Sequence, residues 1–140
     1  MSAMSNFLEK KVLDHILNVT PYTAPTTLWV ALFTGTAASV RANLEAGTIS
    51  DEVANSGAYA RTAVTFNAAT SGAGTSTNSA DVTFTAASGS WGTVTCVAIM
   101  DSGTYGAGNV LVYGELGTAK TITSGDIFKI PSGEITITLA

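Results

Sequence analysis

Apolar side chains recur at three- and four-residue steps through the first twenty residues, which is the spacing of one face of a helix. Asn6 and Glu9 match a capping box, with Ser5 as an alternative cap, and Thr20-Pro21 stops the pattern. The pattern predicts one N-terminal amphipathic helix over residues 5–19. An isolated helix of this length is marginal in water, so its apolar stripe must lie on a sheet or on another subunit. The stripe consists of Phe7, Leu8, Val12, Leu13, Ile16, Leu17 and Val19.

Beyond Pro25 the hydrophobic period changes from 3.6 to 2. Residues 27–34 are apolar at nearly every position, as in a strand buried on both faces. Residues 36–58 are predicted to form a long loop, in which a short helix over residues 40–46 is an option. Short alternating segments separated by glycine-rich turns then continue to the C-terminus: 60–66, 80–85, 92–100, 109–116, 118–123, 126–130 and 134–139.

These elements predict an all-β fold. We expect an antiparallel β-sandwich or jelly roll of 7–8 short strands with one N-terminal amphipathic α-helix. The length of 140 residues allows one hydrophobic core, so residues 1–140 are predicted to be a single domain, with the β-sandwich over residues 27–140.

The composition excludes several classes of function. Charged residues make up 11% of the chain, with a net charge of −4, and six Lys+Arg are too few for a nucleic-acid-binding stripe. One cysteine and one histidine exclude a cysteine-based zinc site and a multi-histidine metal site within one chain. The sequence contains no apolar run of 18 residues, so no membrane span is predicted. The N-terminus does not have the pattern of a secretory signal. We therefore expect neither direct contact with nucleic acid nor a membrane partner.

Residues that often carry chemistry are present, but without the spacing that chemistry requires. Cys96 lies mid-strand with no nearby positive charge, so we expect a buried structural thiol. His15 is expected to form a hydrogen bond on the polar face of the helix or between subunits. No G-x-S-x-G elbow, calcium loop or phosphate-binding loop is present. We predict no catalytic, cofactor-binding or metal-binding residues and no cofactor, and the protein is not expected to be an enzyme.

In their order along the chain, several segments resemble tailed-bacteriophage virion structural proteins of the capsid fibre or head decoration (cement) type, also labelled tail-fibre-like. The resemblance covers nearly the whole chain. It is specific to a phage structural protein and less specific to its place in the virion. The segments that carry it are residues 7–17, 22–34, 57–66, 78–84, 90–95 and 126–128, followed by the Thr-alternating final strand.

The resemblance implies a homotrimer on the capsid surface of the virion, assembled in the host cytoplasm, with the major capsid protein as its partner. Its function would be to bind the assembled head and stabilise it. A tail, baseplate or tail-fibre component is the alternative. A small glycan-binding module is a further alternative, which predicts a solvent-exposed Trp91 or Tyr105 beside carboxylates.

We expect the contacts with other subunits or with the capsid to come from the helix, the 36–58 loop and the segment around Tyr59. Arg61, one of the six basic residues, is expected to pair with a carboxylate of the neighbouring protein. The candidate contact residues are Phe7, Leu8, Val12, His15, Ile16, Tyr59 and Arg61.

Overall fold

A five-stranded antiparallel sheet with the strand order β1-β7-β6-β2-β3 forms the centre of the computed structural model, which describes residues 2–139. Two ribbons, β4-β9 and β5-β8, accompany it. Residues 1 and 140, the ends of the predicted single domain, lie outside the described residues. The elements are β1 Ser2–Met4, α1 Asn6–Ile16, β2 Leu28–Thr34, α2 Ala37–Glu45, β3 Thr62–Val64, β4 Thr75–Thr77, β5 Val82–Thr83, β6 Gly92–Met100, β7 Val110–Ile122, β8 Lys129–Ile130 and β9 Thr136–Thr138.

The sheet is buried on both faces, as the continuous apolar run of β2 indicates. Successive β2 side chains point to opposite faces, so Val30 and Leu32 belong to one cluster and Ala31 and Phe33 to the other. Helix α2 covers the Phe33 face with two buried side chains. The β5-β8 ribbon and its flanking loops cover the Leu32 face. The predicted fold class, an antiparallel all-β sandwich with an N-terminal helix, is confirmed.

Aromatic rings fill the space between the sheet and the β5-β8 ribbon. The ring of Trp91 lies edge-on to those of Tyr59 and Phe84, with centroids 5.4 and 6.2 Å away, and Phe128 lies 5.7 Å from Phe84. These are favourable edge-to-face separations. The indole N–H of Trp91 donates to the Gly57 carbonyl at 2.8 Å. Trp91 is only 5% exposed, so its position contradicts the exposed tryptophan that a glycan-binding module would need.

Helix α1 is shorter than the predicted 5–19, and its cap is Ser5, the alternative to the predicted Asn6 capping box. Ser5 is the N-cap: its hydroxyl oxygen accepts from the backbone N–H of Leu8 at 3.3 Å and its O–H donates to the Val110 carbonyl. The helix ends at Ile16 because Asn18 adopts a left-handed conformation, with φ +57°, before the chain reaches Pro21. Residues 17–19 are therefore outside the helix.

Three further differences separate the sequence prediction from the structure. The predicted 36–58 loop contains α2, close to the optional helix at 40–46. The two strands predicted around Gly117 are one strand, β7, with residues 116–119 bulging opposite Thr95. Strands β1 and β4 were not predicted, because three residues are too few to show a period; β1 pairs with β7 at residues 112–114 and β4 pairs with β9.

A buried ion pair between Arg61 and Glu52 connects two nearby segments and, through the guanidinium of Arg61, a distant loop. The guanidinium Nε and Nη2 each donate to one carboxylate oxygen of Glu52 at 2.7 Å. Its Nη1 donates to the carbonyls of Ser102 and Ala107, both at 2.8 Å. The two charged side chains are 0% and 1% exposed. This corrects the expectation that Arg61 pairs with a neighbouring protein: its partner is a carboxylate of its own chain.

Tyr59 belongs to the same network and is likewise inside the body. Its hydroxyl donates to Glu52 Oε1 at 3.0 Å and accepts from the backbone N–H of Leu32 at 3.0 Å. Burial raises the pKa of Tyr59 well above its ordinary value, which keeps the phenol protonated as a donor. Tyr59 is therefore part of the interior, and the expectation that it contacts another subunit is corrected.

We predict that Arg61→Ala lowers the free energy of unfolding by about 3–5 kcal/mol, because it leaves the Glu52 carboxylate buried without its counter-charge. Arg41→Ala is the matched control, since Arg41 forms a half-exposed ion pair with Glu115 at 3.5 Å and should change stability by about 1 kcal/mol or less. Urea denaturation of the three proteins measures both effects. Equal losses for the two variants would contradict the structural role given to Arg61.

Candidate functional site

An uncovered apolar surface lies at the C-terminal end of α1. No residue of α1 is buried. Leu13, Ile16, Leu17 and Val19 are 57%, 71%, 67% and 69% exposed, and together we call them the helix patch. Four large aliphatic side chains clustered on one short segment differ from the scattered single apolar residues of an ordinary surface. The helix patch is therefore a candidate contact surface.

The single apolar stripe predicted from the sequence is divided between two sides of α1. Phe7 and Leu8 pack against the core of the sheet, and Val12 is half-buried. Nine residues make about two and a half turns of helix, so Ile16 points away from the side on which Phe7 lies. The N-terminal half of α1 thus attaches the helix to its own body, and the C-terminal half presents apolar side chains to the outside.

Polar contacts hold the C-terminal end of α1 in place. Lys10 and Asp14 form an ion pair one helical turn apart. His15 Nδ1 accepts a hydrogen bond from the backbone N–H of Tyr22 at 3.1 Å. The expected hydrogen bond of His15 is thus formed within the chain, where it ties the connection after the helix back onto α1.

A second apolar surface is an open groove between the sheet and the chain from β8 to β9. Its volume is about 640 Å³. We call it the sheet groove and define it by six of its lining residues. Four of them are half-buried hydrophobic side chains, so the cavity leaves apolar surface in contact with solvent. The six are Val97, Val112, Leu116, Phe128, Ile135 and Ile137.

The outer wall of the sheet groove is fixed by Asn78, which is 0% exposed. Its side-chain N–H groups donate to the carbonyls of Ala80 and Pro131, both at 2.9 Å, and its Oδ1 accepts from the Ile135 N–H at 2.9 Å. One side chain therefore connects the start of the β5 segment with both ends of the β8–β9 connection. The groove is preformed as a consequence.

Asp81 reinforces the same wall from the surface. Its carboxylate lies 2.6 Å from Lys129 Nζ and accepts from the backbone N–H of Ser132 at 2.8 Å. The hydrogen bond from Lys129, followed by that from Ser132, holds the pKa of Asp81 below its ordinary value of 3.8.

The described residues offer little for catalysis or metal binding. Residues 2–139 contain no group of three His, Cys, Asp or Glu side chains that could hold a metal ion. Cys96 is buried, as predicted, and burial raises the pKa of its thiol. The glycan-binding alternative predicted an exposed aromatic side chain beside carboxylates. Tyr105 is 43% exposed, and the carboxylate of Asp101 on the same loop accepts hydrogen bonds from Asn109. In the part of the chain that the structure describes, no helix has the length and apolarity to cross a membrane.

The structure separates the candidate contact residues into three groups. Phe7 and Leu8 pack against the body and Val12 is half-buried, whereas His15 and Ile16 are exposed at the end of α1. Tyr59 and Arg61 are inside the body. Leu13, Leu17 and Val19 belong to the predicted apolar stripe but are not among the candidate contact residues. Their exposure in the structure distinguishes them from the inward-packed residues of the stripe. The sheet groove has no signal in the sequence, because its walls come from segments far apart in the chain.

The structure is an antiparallel β body, with its central sheet covered on both faces, that presents an apolar helix end and an open apolar groove, features suited to contacts with other proteins. The chain belongs to the family described as Podophage GP4 fiber I protein gp80, whose family model matches residues 3–138. The predicted resemblance to a phage virion fibre-type structural protein is thereby confirmed. No curated protein matches the chain.

Two substitutions on α1 should separate its inner and outer sides. Leu8→Ala is predicted to lower the free energy of unfolding by about 1–2 kcal/mol, below the range for a fully buried leucine because Leu8 is half-buried. Leu13→Ala should change it by about 0.5 kcal/mol or less, since the side chain is exposed. Both are read by urea denaturation at low protein concentration. A larger loss for Leu13→Ala would show that the patch is part of the monomer's core.

The wall of the sheet groove should weaken in acid. The pKa of Asp81 is depressed in the folded protein, so its contribution to stability is complete above the ordinary value of 3.8 and is lost as pH falls through the folded-state value. Wild type should therefore be more stable than Asp81→Asn at pH 6, and the difference should shrink as pH falls below about 4. Urea denaturation of both proteins across this range measures it; a difference independent of pH would refute the role of the carboxylate.

Proposed function

We propose that this protein is a capsid decoration, or cement, protein that binds the assembled phage head and stabilises it. The observation that carries the proposal is the helix patch, which leaves a contact surface uncovered on a chain that belongs to a virion fibre-type structural family. A protein whose exposed features are contact surfaces works through the assemblies it joins. Membership of a structural fibre family supports the further proposal that it is not an enzyme.

The distribution of charge supports a protein partner over packaged nucleic acid. Among residues 2–139, four of the basic side chains are engaged in ion pairs with carboxylates of the same chain: Lys10, Arg41, Arg61 and Lys129. Only Lys11 and Lys120 form no such pair in that part of the chain. Binding to a phosphate backbone needs several free cations together. We propose the major capsid protein as the partner, with no direct contact with nucleic acid.

The proposed mechanism is mass action on the shell. A protein that binds the assembled lattice and not free coat protein stabilises the lattice by its differential affinity. As a homotrimer at threefold positions it would make three contacts at once, so that modest individual affinities combine into strong binding. Attachment to the outside of the head gives the proposed location, the capsid surface of the virion, with assembly in the host cytoplasm.

A structural component of the tail, baseplate or tail fibre is the second candidate. The family description, which contains the words "fiber I protein", favours it. Both candidates need a rigid body with exposed contact surfaces, and they differ in the structure to which the body attaches.

Co-sedimentation tests the proposal. Purified protein is mixed with stripped heads, with isolated tails and with unassembled coat protein of the phage that encodes it. We expect saturable binding to heads only, and a higher temperature of head rupture when the protein is bound. Binding to tails alone would replace the head proposal by the tail candidate, and binding to none of the three would reject both.

A further inference from the structure

We propose that the sheet groove binds an extended segment of a partner protein, which adds a strand to the outer edge of β7 and places apolar side chains in the groove. The inference goes beyond the proposed function, because it concerns a surface separate from the helix patch. Three features of that surface support it: an unpaired strand edge, an apolar cavity that opens beside the edge, and a lysine without a carboxylate partner in the described chain.

Strand β7 has more backbone edge than its own chain covers. On one side it pairs with β6, and on the other with β1, which is three residues long and reaches only residues 112–114. Among residues 2–139, no strand pairs with the outer edge of β7 over residues 116–121. Unpaired N–H and C=O groups on a strand edge are the template on which a further strand can form.

The sheet groove opens beside this unpaired edge. Its lining includes Ser2, at the end of β1, and continues along β7 through residues 114–118 to Lys120. The opposite wall is the chain from β8 to β9. A strand that continues the line of β1 beyond Ser2 would therefore have β7 as its backbone partner and the apolar cavity beside its inward side chains.

The volume of the groove fits a short strand. A strand residue occupies about 3.3 Å along the chain, 4.8 Å across the sheet and 10 Å between packed sheets, or roughly 160 Å³. The 640 Å³ of the groove therefore accommodates about four residues. Because side chains alternate along a strand, every second one would contact the lining. The half-buried side chains covered in this way are Val97, Leu116, Ile135 and Ile137.

An extended segment is the occupant that uses both the edge and the cavity. The backbone groups of a helix are hydrogen-bonded within the helix, so a helix would fill the groove without pairing with β7. A small apolar molecule would likewise leave the edge of residues 116–121 in contact with water. An added strand pairs its backbone with that edge and buries alternate side chains. The main-chain hydrogen bonds then give affinity, and the cavity gives specificity.

Lys120 indicates the charge of the partner segment. It lines the groove, is exposed, and forms no ion pair among residues 2–139. A lysine and a bulge on an edge strand oppose pairing with an identical edge, and β7 has both. The same lysine favours a cross-strand carboxylate. Because Glu134 also lines the groove, we expect one acidic residue in an otherwise alternating apolar and neutral segment of a different protein.

Three synthetic peptides test the inference on the full-length protein. The first is Thr-Val-Thr-Val-Asp-Val-Thr. The second has the same side chains with every peptide nitrogen methylated, so it donates no backbone hydrogen bond. The third has the same composition with its valines adjacent. We expect the first to bind with a Kd on the order of 100 μM, as for a short segment that is ordered on binding, and the other two to bind at least about tenfold more weakly.

Amide hydrogen exchange, followed by NMR on the isotopically labelled protein, locates the bound strand. With the first peptide at about ten times its Kd, exchange of the amides of residues 116–121 that face the outer edge should slow about tenfold. Amides of the helix patch should not change. The methylated peptide is the matched control, because it offers the same apolar side chains without the backbone donors.

Charge reversal at Lys120 tests the part played by the lysine. The side chain is exposed, so Lys120→Glu should fold normally and bind the first peptide about fivefold more weakly, near the upper end for an exposed ion pair. A peptide with Lys in place of Asp should recover that loss on the variant. Lys11→Glu makes the same change of net charge at a residue that does not line the groove, and it should bind the first peptide as wild type does.

Three results would overturn the inference: no binding of the alternating peptide, equal binding of its methylated form, or protection of amides elsewhere but not in residues 116–121. Equal binding of the methylated form would identify the groove as a site for apolar molecules instead of strands. These measurements use no phage particles. A protein that binds the peptide but ignores heads would reject the proposed decoration function and leave this inference intact, and the converse result would do the reverse.

Discussion

The buried ion pair between Arg61 and Glu52 is the interaction on which the arrangement of this protein depends. It joins the segment after α2 to the strand that follows Tyr59, and through two carbonyls it fixes the 101–109 loop. Removing two charges from water is costly, and only complete hydrogen bonding offsets that cost. Here the Nε–H and both terminal nitrogens of the guanidinium have partners, and Tyr59 supplies a further donor to the carboxylate. The pair therefore holds together the segment after α2, the residues before β3 and the 101–109 loop.

Most basic side chains of this protein pair with carboxylates of the same chain, and this pairing affects the surface that the protein presents. A chain with few charged residues that pairs most of its basic side chains with its own carboxylates presents few unpaired positive charges. Exposed apolar side chains then add to what distinguishes one face of the protein from another. The helix patch and the sheet groove are apolar surfaces of this kind. This agrees with a family of virion structural proteins, whose members act by being placed correctly in a larger assembly.

Helix α1 shows how one element serves two roles. Its cap at Ser5 is fixed to β7 by backbone and side-chain hydrogen bonds, so the direction of the helix is set by the sheet. The inner side chains Phe7 and Leu8 complete that attachment. Because a helix of eleven residues is too short to be stable alone, the exposed half is maintained by the attached half, and it remains free to contact another protein.

The sequence by itself determined the fold class, the N-terminal helix and the positions of most strands, because period and turn residues are local properties of the chain. It also indicated that Cys96 is a buried thiol, and the order of its segments indicated the phage structural family. The remaining features depend on which side chains the tertiary structure buries. Period alone gives one apolar stripe on α1, and only the position of the sheet decides that Phe7 turns inward while Ile16 stays exposed. Arg61 carries the charge expected of a surface contact, yet Glu52, nine residues earlier, is brought against it inside the body. The sheet groove arises where β6 and β7 meet the chain from β8 to β9, and no local pattern encodes a surface formed by segments so far apart.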